Sequence, residues 1–327
     1  MLHQILTKTA REQADKTAII TDERQITYNE FIRKVYTLSD MLIVEGLRKG
    51  DRVLVLLKDP IDYLTTCYAI LRAGGIVIPL QPSGTLENLQ SIVEKYTPWL
   101  IVTSRDDTRL QRTLLDAMNY PIFYLENTTL FQIRQDGGLA PGDYSQTDEK
   151  ITKLLNLNED DGAFILINYE MEENKSALVF THRMVQKMSE NLNSVMNFNV
   201  DKRELLIHPL TDIIGLLSAT HVLTAGATVV IKTEEIKPLE IIQTIIKYGC
   251  NALSAKSKIF TSLLSNVGSL IKEVASQLEL VELHGTTLKL FEKKRLLNIF
   301  SKARLYMFYG TPEAPAATIN ELRSERR

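Results

Sequence analysis

Apolar residues along this chain follow two spacings in turn. Short runs of consecutive aliphatic residues alternate with stretches in which apolar positions recur every three or four residues, the signatures of buried strands and amphipathic helices. In ITYNEFIRKVYTLSDMLIVEGL (26–47) a short strand gives way to Phe31, Val35, Leu38 and Leu42 at helical spacing. Gly46 and Gly50 stop that helix, and RVLVLL follows Asp51 as a buried strand. DYLTTCYAILRAGG (62–75) reads as a helix with Tyr63, Thr66, Ile70 and Leu71 on one side and Gly74-Gly75 at its end, before the strand IVIPL (76–80). A helix at 86–96 and a strand at 98–104 repeat the pattern. Residues 105–160 are less regular, with a strand at 121–126 and a polar Gly/Pro loop at 135–150. AFILIN (163–168) is a strand, followed by a very polar stretch, then ALVFTH (177–182) and a helix at 183–196. The second half alternates in the same way through 227–231, 239–249, 252–265, 278–285, 288–300 and 304–310.

Buried strands separated by amphipathic helices predict an α/β fold of mostly parallel sheets covered on both faces. Ligands on such sheets bind where strands run into loops at their carboxyl ends. That places the chemistry at 168–176, 211–215, 284–287 and 309–313.

Composition narrows the classes. The 327 residues are 44% hydrophobic, enough to bury one large core or two modest ones, and 38 basic against 40 acidic residues leave a net charge of −2. No basic field is present to hold nucleic acid. Cys67 and Cys250 lack disulfide or zinc-ligand spacing, which suits a reducing cytoplasm. The first residues turn charged too soon for a secretory signal. The longest apolar stretch, Ile207 to Ile231, contains His208, Asp212 and His221, so it reads as a buried core segment, not a membrane span. No Ser-His-Asp set, CxxC pair, HExxH, GxGxxG or GxxxxGK[ST] motif is present, which leaves hydrolase, zincin, dinucleotide and Walker-type readings without local support.

Seven segments resemble signatures of the adenylate-forming superfamily of acyl-CoA synthetases and peptide-synthetase adenylation domains, in that family's order. They are ITYNEF (26–31), EGLRKGDRVLVLL (45–57), AILRAGGIVIPLQPS (69–83), VFTHRMV (179–185), LTAGATVVI (223–231), HGTTL (284–288) and FYGTPEA (308–314). The resemblance implies two packed, mostly parallel sheets with helices in αβαβα layers. It further implies one adenylation-type N-terminal domain, with subdomains at roughly 51–199 and at 1–50 plus 200–327. The family couples a carboxylate to ATP to form an acyl-adenylate and usually passes it to a thiol. By resemblance, Tyr309, Gly310, Thr311, Glu313, His284, Gly285 and Thr286 are the nucleotide-binding candidates, with Glu313 as the Mg²⁺ ligand. His182, Thr211, Asp212 and Gly215 are the acyl-pocket candidates.

The sequence also departs from the family. The phosphate loop should be rich in Gly, Ser and Thr, because bare backbone N–H groups must approach the phosphates closely. It maps to Asn168, Tyr169, Glu170, Glu172, Glu173, Lys175 and Ser176, a segment with no glycine. ATP carries about four negative charges, and each nearby carboxylate opposes it by about 1 kcal/mol in water and by several in a partly desolvated site. The family's loop lysine maps to Ser176, with Lys175 one position earlier. Asp212 stands where many members have an acyl-pocket histidine; alternatively it caps the helix that follows. Pro312 replaces a threonine that faces phosphate. His208 and His221 read as core or edge histidines. The family's barrel, hinge and catalytic C-terminal lysine would lie beyond Arg327.

The expectation is a degenerate adenylation domain with little or no activating activity and no certain cofactor. It would serve as a binding or scaffolding module with a carrier protein or synthetase partner, or with a small carboxylate or acyl ligand. The alternative is the N-terminal portion of an active ligase, using ATP and Mg²⁺, completed by a C-terminal domain. A small-molecule sensor reusing the acyl pocket is a third class.

Overall fold

The computed structural model describes residues 1–80, 86–104, 121–126, 129–132, 155–167, 177–232, 236–266, 270–285, 288–311 and 314–322. The chain divides into two compact units, Met1–Arg11 with Asn29–Gln186, and Glu12–Tyr28 with Lys187–Arg327.

In the first unit, the described residues form a seven-stranded sheet from β3 (Arg52–Leu56), β4 (Ile76–Pro79), β5 (Leu100–Thr103), β6 (Ile122–Glu126), β7 (Thr129–Gln132), β8 (Gly162–Ile167) and β9 (Ala177–Thr181). Its order is β7-β6-β5-β3-β4-β8-β9. The central strands are parallel, while β6–β7 and β8–β9 are antiparallel. Helices α1 (Leu2–Glu12), α2 (Tyr28–Val44), α3 (Pro60–Arg72) and α4 (Leu86–Tyr96) accompany it. The Asp59 side chain accepts the Asp62 N–H at 2.8 Å and Pro60 opens α3, so the local sequence starts that helix without tertiary help. Gly74, at φ +84, lets the chain leave the helix in a left-handed turn. Buried Arg72 at the end of α3 meets Asp40 of α2 at 2.6 Å and lies over the Tyr36 ring at 4.4 Å.

In the second unit, the described residues form an eight-stranded sheet from β1 (Thr17–Ile20), β2 (Gln25–Thr27), β10 (Arg203–Ile207), β11 (Thr228–Ile231), β12 (Ala252–Lys256), β13 (Leu280–His284), β14 (Arg304–Thr311) and β15 (Ala314–Glu321). The order is β15-β14-β13-β12-β10-β11-β1-β2, with β14–β15 and β1–β2 antiparallel and the rest parallel. Both sheets are therefore mostly parallel, as the alternation predicts, with antiparallel pairs at their edges that it does not foretell. The helices are α5 (His182–Met196), which runs on from the first unit, α6 (Ile213–Thr224), α7 (Pro238–Tyr248), α8 (Ser257–Asn266), α9 (Ile271–Ala275) and α10 (Leu290–Ile299).

Strand alternation sorts the second sheet into two faces. Leu205, Ile207, Leu253, Ala255, Val281, Leu283 and Leu305 lie on one face, in one apolar cluster with Ile241, Ile245, Phe260, Leu263, Leu296 and Phe300 from the helices. Each fully buried aliphatic side chain there contributes about 1.5–3 kcal/mol. The alternate positions carry Glu204, Ser254, Glu282, His284, Tyr306 and Phe308 on the opposite face. The apolar stretch 207–231 is the end of β10, the buried helix α6 and β11. Among the described residues, no helix is long and apolar enough to cross a membrane. Cys67 and Cys250 are buried free thiols, and burial pushes the Cys250 thiol up to about 12.

Candidate functional site

The carboxyl ends of β10, β12, β13 and β14 bring several chemistry-bearing residues together. His284 ends β13. Its ring stacks on Phe308 with centroids 4.3 Å apart and stands edge-on to His208 at 5.0 Å. Nε2 of His284 lies 3.2 Å from Ser254 Oγ and 3.3 Å from Glu282 Oε2, and its carbonyl accepts from Ser257 Oγ at 3.1 Å. His208 is buried, and both its ring nitrogens lack a hydrogen-bond partner among the described residues. Burial, then the positive fields of His284 and Lys256, push its pKa well down, so it is neutral.

At the start of α6, Asp212 occupies the N-cap position with extended backbone (φ −86, ψ 149), but its side chain makes no capping hydrogen bond. The capping role expected of it is not filled. The carboxylate lies 3.5 Å from Lys256 Nζ at the end of β12, with both side chains about 40% exposed. Thr211 Oγ1 has no hydrogen-bond partner among the described residues. Gly215 answers to packing: a Cβ there would lie 2.1 Å from the Pro209 carbonyl oxygen. Tyr309, Gly310 and Thr311 at the end of β14 are exposed, Tyr309 by 69%. Gly285 follows His284 at φ +96, a backbone conformation that favours glycine.

His182 belongs to the first unit. Its ring is 1% exposed and edge-on to His3 at 6.2 Å, while the backbone N–H of His182 donates to the Asp161 carbonyl at 3.1 Å. Burial and the Met1 ammonium push it down to about 4, against the pull of Asp161. The helix start it occupies is capped by Thr181, whose Oγ1 accepts the Met184 N–H at 3.2 Å. Residues 168–176, Thr286 and Glu313 lie outside the described residues. The ends of the first of these are placed, however: Ile167 of β8 pairs with Ala177 of β9 across the antiparallel ladder.

Residues 6–166 match the profile of the family described as AMP-binding enzyme. The chain belongs to that family. This AMP-binding chain is 32% identical over 103 residues to vanchrobactin synthetase VabF of Vibrio anguillarum, covering 32% of the chain and 4% of that protein. It is 25% identical over 244 residues to nonribosomal peptide synthetase 8 of Aspergillus fumigatus, covering 72% of the chain and 3% of that protein. The chain thus spans a small fraction of the length of the curated relatives it matches. Among solved structures, that of CmiS6 superposes with a TM-score of 0.83 at 17% identity, over 98% of this chain and 73% of the other, and shares its fold.

In this AMP-binding domain the strand-end cluster links Asp212 to Lys256 and His284 to His208 and Phe308. Sequence reasoning placed Asp212 and His284 there but passed over Lys256, whose signal was a lone cation closing the apolar strand ALSAK. It also passed over Glu204 and Glu282, single carboxylates inside RELLI and LVELH. Both are buried: burial and then the neighbouring Glu282 push Glu204 well up. Burial also pushes Glu282 up, but the His284 hydrogen bond and the facing imidazoles outweigh it and hold that carboxyl below its ordinary value.

Proposed function

We propose that this chain is a degenerate adenylation-like domain with little or no carboxylate-activating activity, acting as a binding or scaffolding module in carrier-linked acyl or peptidyl metabolism. One observation carries the reading. The connection between Ile167 and Ala177, whose ends are tied by sheet pairing, holds Glu170, Glu172 and Glu173 and no glycine. A triphosphate needs backbone N–H groups and neutral or cationic side chains. Three carboxylates oppose it by about 1 kcal/mol each even in water, and Lys175 offsets only one. This donor set does not fit Mg·ATP.

The strand ends still offer a small ligand a matched pair of charges. Lys256 suits a carboxylate and Asp212 an ammonium, both half-exposed at the edge where α/β sheets take ligands. A small amino or acyl carboxylate is the ligand class this favours, and a carrier protein, in keeping with the peptide-synthetase relatives, is the partner class.

Carboxylate-dependent ATP–pyrophosphate exchange across a panel of amino and fatty acids is the test, paired with calorimetric titration of Mg·ATP. The expected result is no exchange and no micromolar nucleotide affinity, with a thermal shift from a subset of the acids alone. Clear exchange, by the chain itself or after addition of a relative's C-terminal domain, would support instead the second reading, an active ligase portion.

A further inference from the structure

Inside the second unit, three side chains from separate elements converge: Glu204 from β10, Glu282 from β13 and His221 from α6. The ligand atoms they offer lie within 4.8 Å of one another, and the residues are 0%, 1% and 0% exposed. With both carboxyls ionised, both oxygens of Glu204, Oε1 of Glu282 and Nε2 of His221 lack a hydrogen-bond donor among the described residues, and a proton on Glu204 would be shared with Glu282. Buried polar atoms are normally satisfied, so four together call for a cause.

Asn193 of α5 fixes the protons. Its Nδ2 donates to the His221 carbonyl at 3.1 Å, which leaves its Oδ1 as the acceptor 3.1 Å from His221 Nδ1. Nδ1 therefore carries the hydrogen. Nε2, the other ring nitrogen, lies 3.7 Å from Glu282 Oε1, too far for a direct hydrogen bond and close enough for a cation to sit between the two atoms. One shared proton can bridge only two of the four atoms. No lysine or arginine among the described residues pairs with either carboxylate.

We infer that Glu204, Glu282 and His221 form a closed, four-coordinate site for a first-row divalent cation, Glu204 binding through both oxygens. Two carboxylates balance the dication, and the mix of one imidazole with carboxylate oxygens suits Zn²⁺ or its neighbours over Mg²⁺ or Ca²⁺. At bond lengths of about 2.1 Å, ligand atoms from different residues sit about 3.4 Å apart around a tetrahedral ion, so the present cluster need contract only modestly, while the two oxygens of Glu204, fixed on one carbon, bind with a narrower bite and distort the tetrahedron. An outer shell is also in place. Asn193 orients the imidazole, and His284, itself in contact with Ser254, holds the other oxygen of Glu282. A site this deeply buried takes up its metal during folding, not by later soaking.

The test uses the full chain, unfolded with chelator and refolded with or without Zn²⁺. After desalting, bound metal is counted by mass spectrometry and stability measured by thermal denaturation. One Zn²⁺ per chain is expected, with a higher Tm for the zinc-refolded protein. Glu204→Gln and His221→Gln should retain only background metal, and Asn193→Ala should bind about 10- to 100-fold more weakly. Co²⁺ in place of Zn²⁺ should give the intense visible absorption of a four-coordinate site, a readout on the wild-type chain that holds even where a variant fails to fold. No retained metal, equal retention by the variants, or the weak spectrum of six-coordinate Co²⁺ would each overturn the site and leave protons shared between the carboxyls.

Discussion

Asn193 grips His221 twice, accepting from ring Nδ1 through Oδ1 and donating to the backbone carbonyl through Nδ2, each at 3.1 Å. One amide thus sets the tautomer of a wholly buried imidazole and ties α5 to α6. Asn193→Ala leaves a buried ring N–H without an acceptor, so a loss of about 1–3 kcal/mol is expected in urea denaturation. In a His221→Phe background the same change should cost markedly less, and a double-mutant cycle would show the difference. Equal losses in both backgrounds would break the link.

Gly215 should tolerate no side chain. A Cβ would sit 2.1 Å from the Pro209 carbonyl oxygen, backbone that cannot rotate away. Gly215→Ala should therefore destabilise by about 1–3 kcal/mol through overpacking, although alanine is the better helix former. A Tm equal to or above that of the parent chain would contradict the packing described.

The buried Arg72–Asp40 pair should behave asymmetrically. Arg72→Met alone strands a carboxylate in the first unit and is expected to cost about 3–5 kcal/mol. Adding Asp40→Leu should recover most of that loss, measured as the denaturant midpoint. Additive losses in the double variant would show that the charge pairing is not what matters there.

His182 gives the first unit a defined acid sensitivity. Its folded pKa is pushed down from 6.5 to about 4, so the fold prefers the neutral ring. The unfolded chain takes up a proton first as pH falls. Stability from this group is complete above pH 6.5 and declines toward pH 4 by up to about 3 kcal/mol. Comparison of wild type and His182→Gln at pH 7.5 and pH 5 isolates it. The variant should lose less on acidification, and parallel curves would refute the assignment. Burial is the main cause of this shift, and the Met1 ammonium and Asp161 are the charged neighbours that push and pull on it.

Much of the fold was legible because periodicity is local. The helix read at 62–75 follows from the stripe of Tyr63, Thr66, Ile70 and Leu71 and the Gly74-Gly75 stop, and the strands RVLVLL and IVIPL (76–80) from unbroken aliphatic runs; the earlier start at Pro60, set by Asp59, is what the structure adds. The antiparallel edges were not legible. Nothing in ALVFT tells that it folds back on GAFILI, since direction depends on a partner elsewhere in the chain. The polar interior escaped for a related reason. A carboxylate in a strand normally marks its wet face, and only the helices above Glu204 and Glu282 reveal that this face is dry. Asp212 was placed correctly at a helix start, but Lys256 comes from another strand, and a pairing between strands leaves no trace in spacing.

The ladder bond between Ile167 and Ala177 has an evolutionary corollary. Because the stems are clamped by the sheet, the nine residues joining them can be exchanged wholesale while the scaffold keeps its register. On the proposed reading, phosphate binding in such a protein is a removable cassette: its loss would leave the architecture intact, and a neutral glycine-bearing connection grafted between the same two residues would be the change expected to restore it.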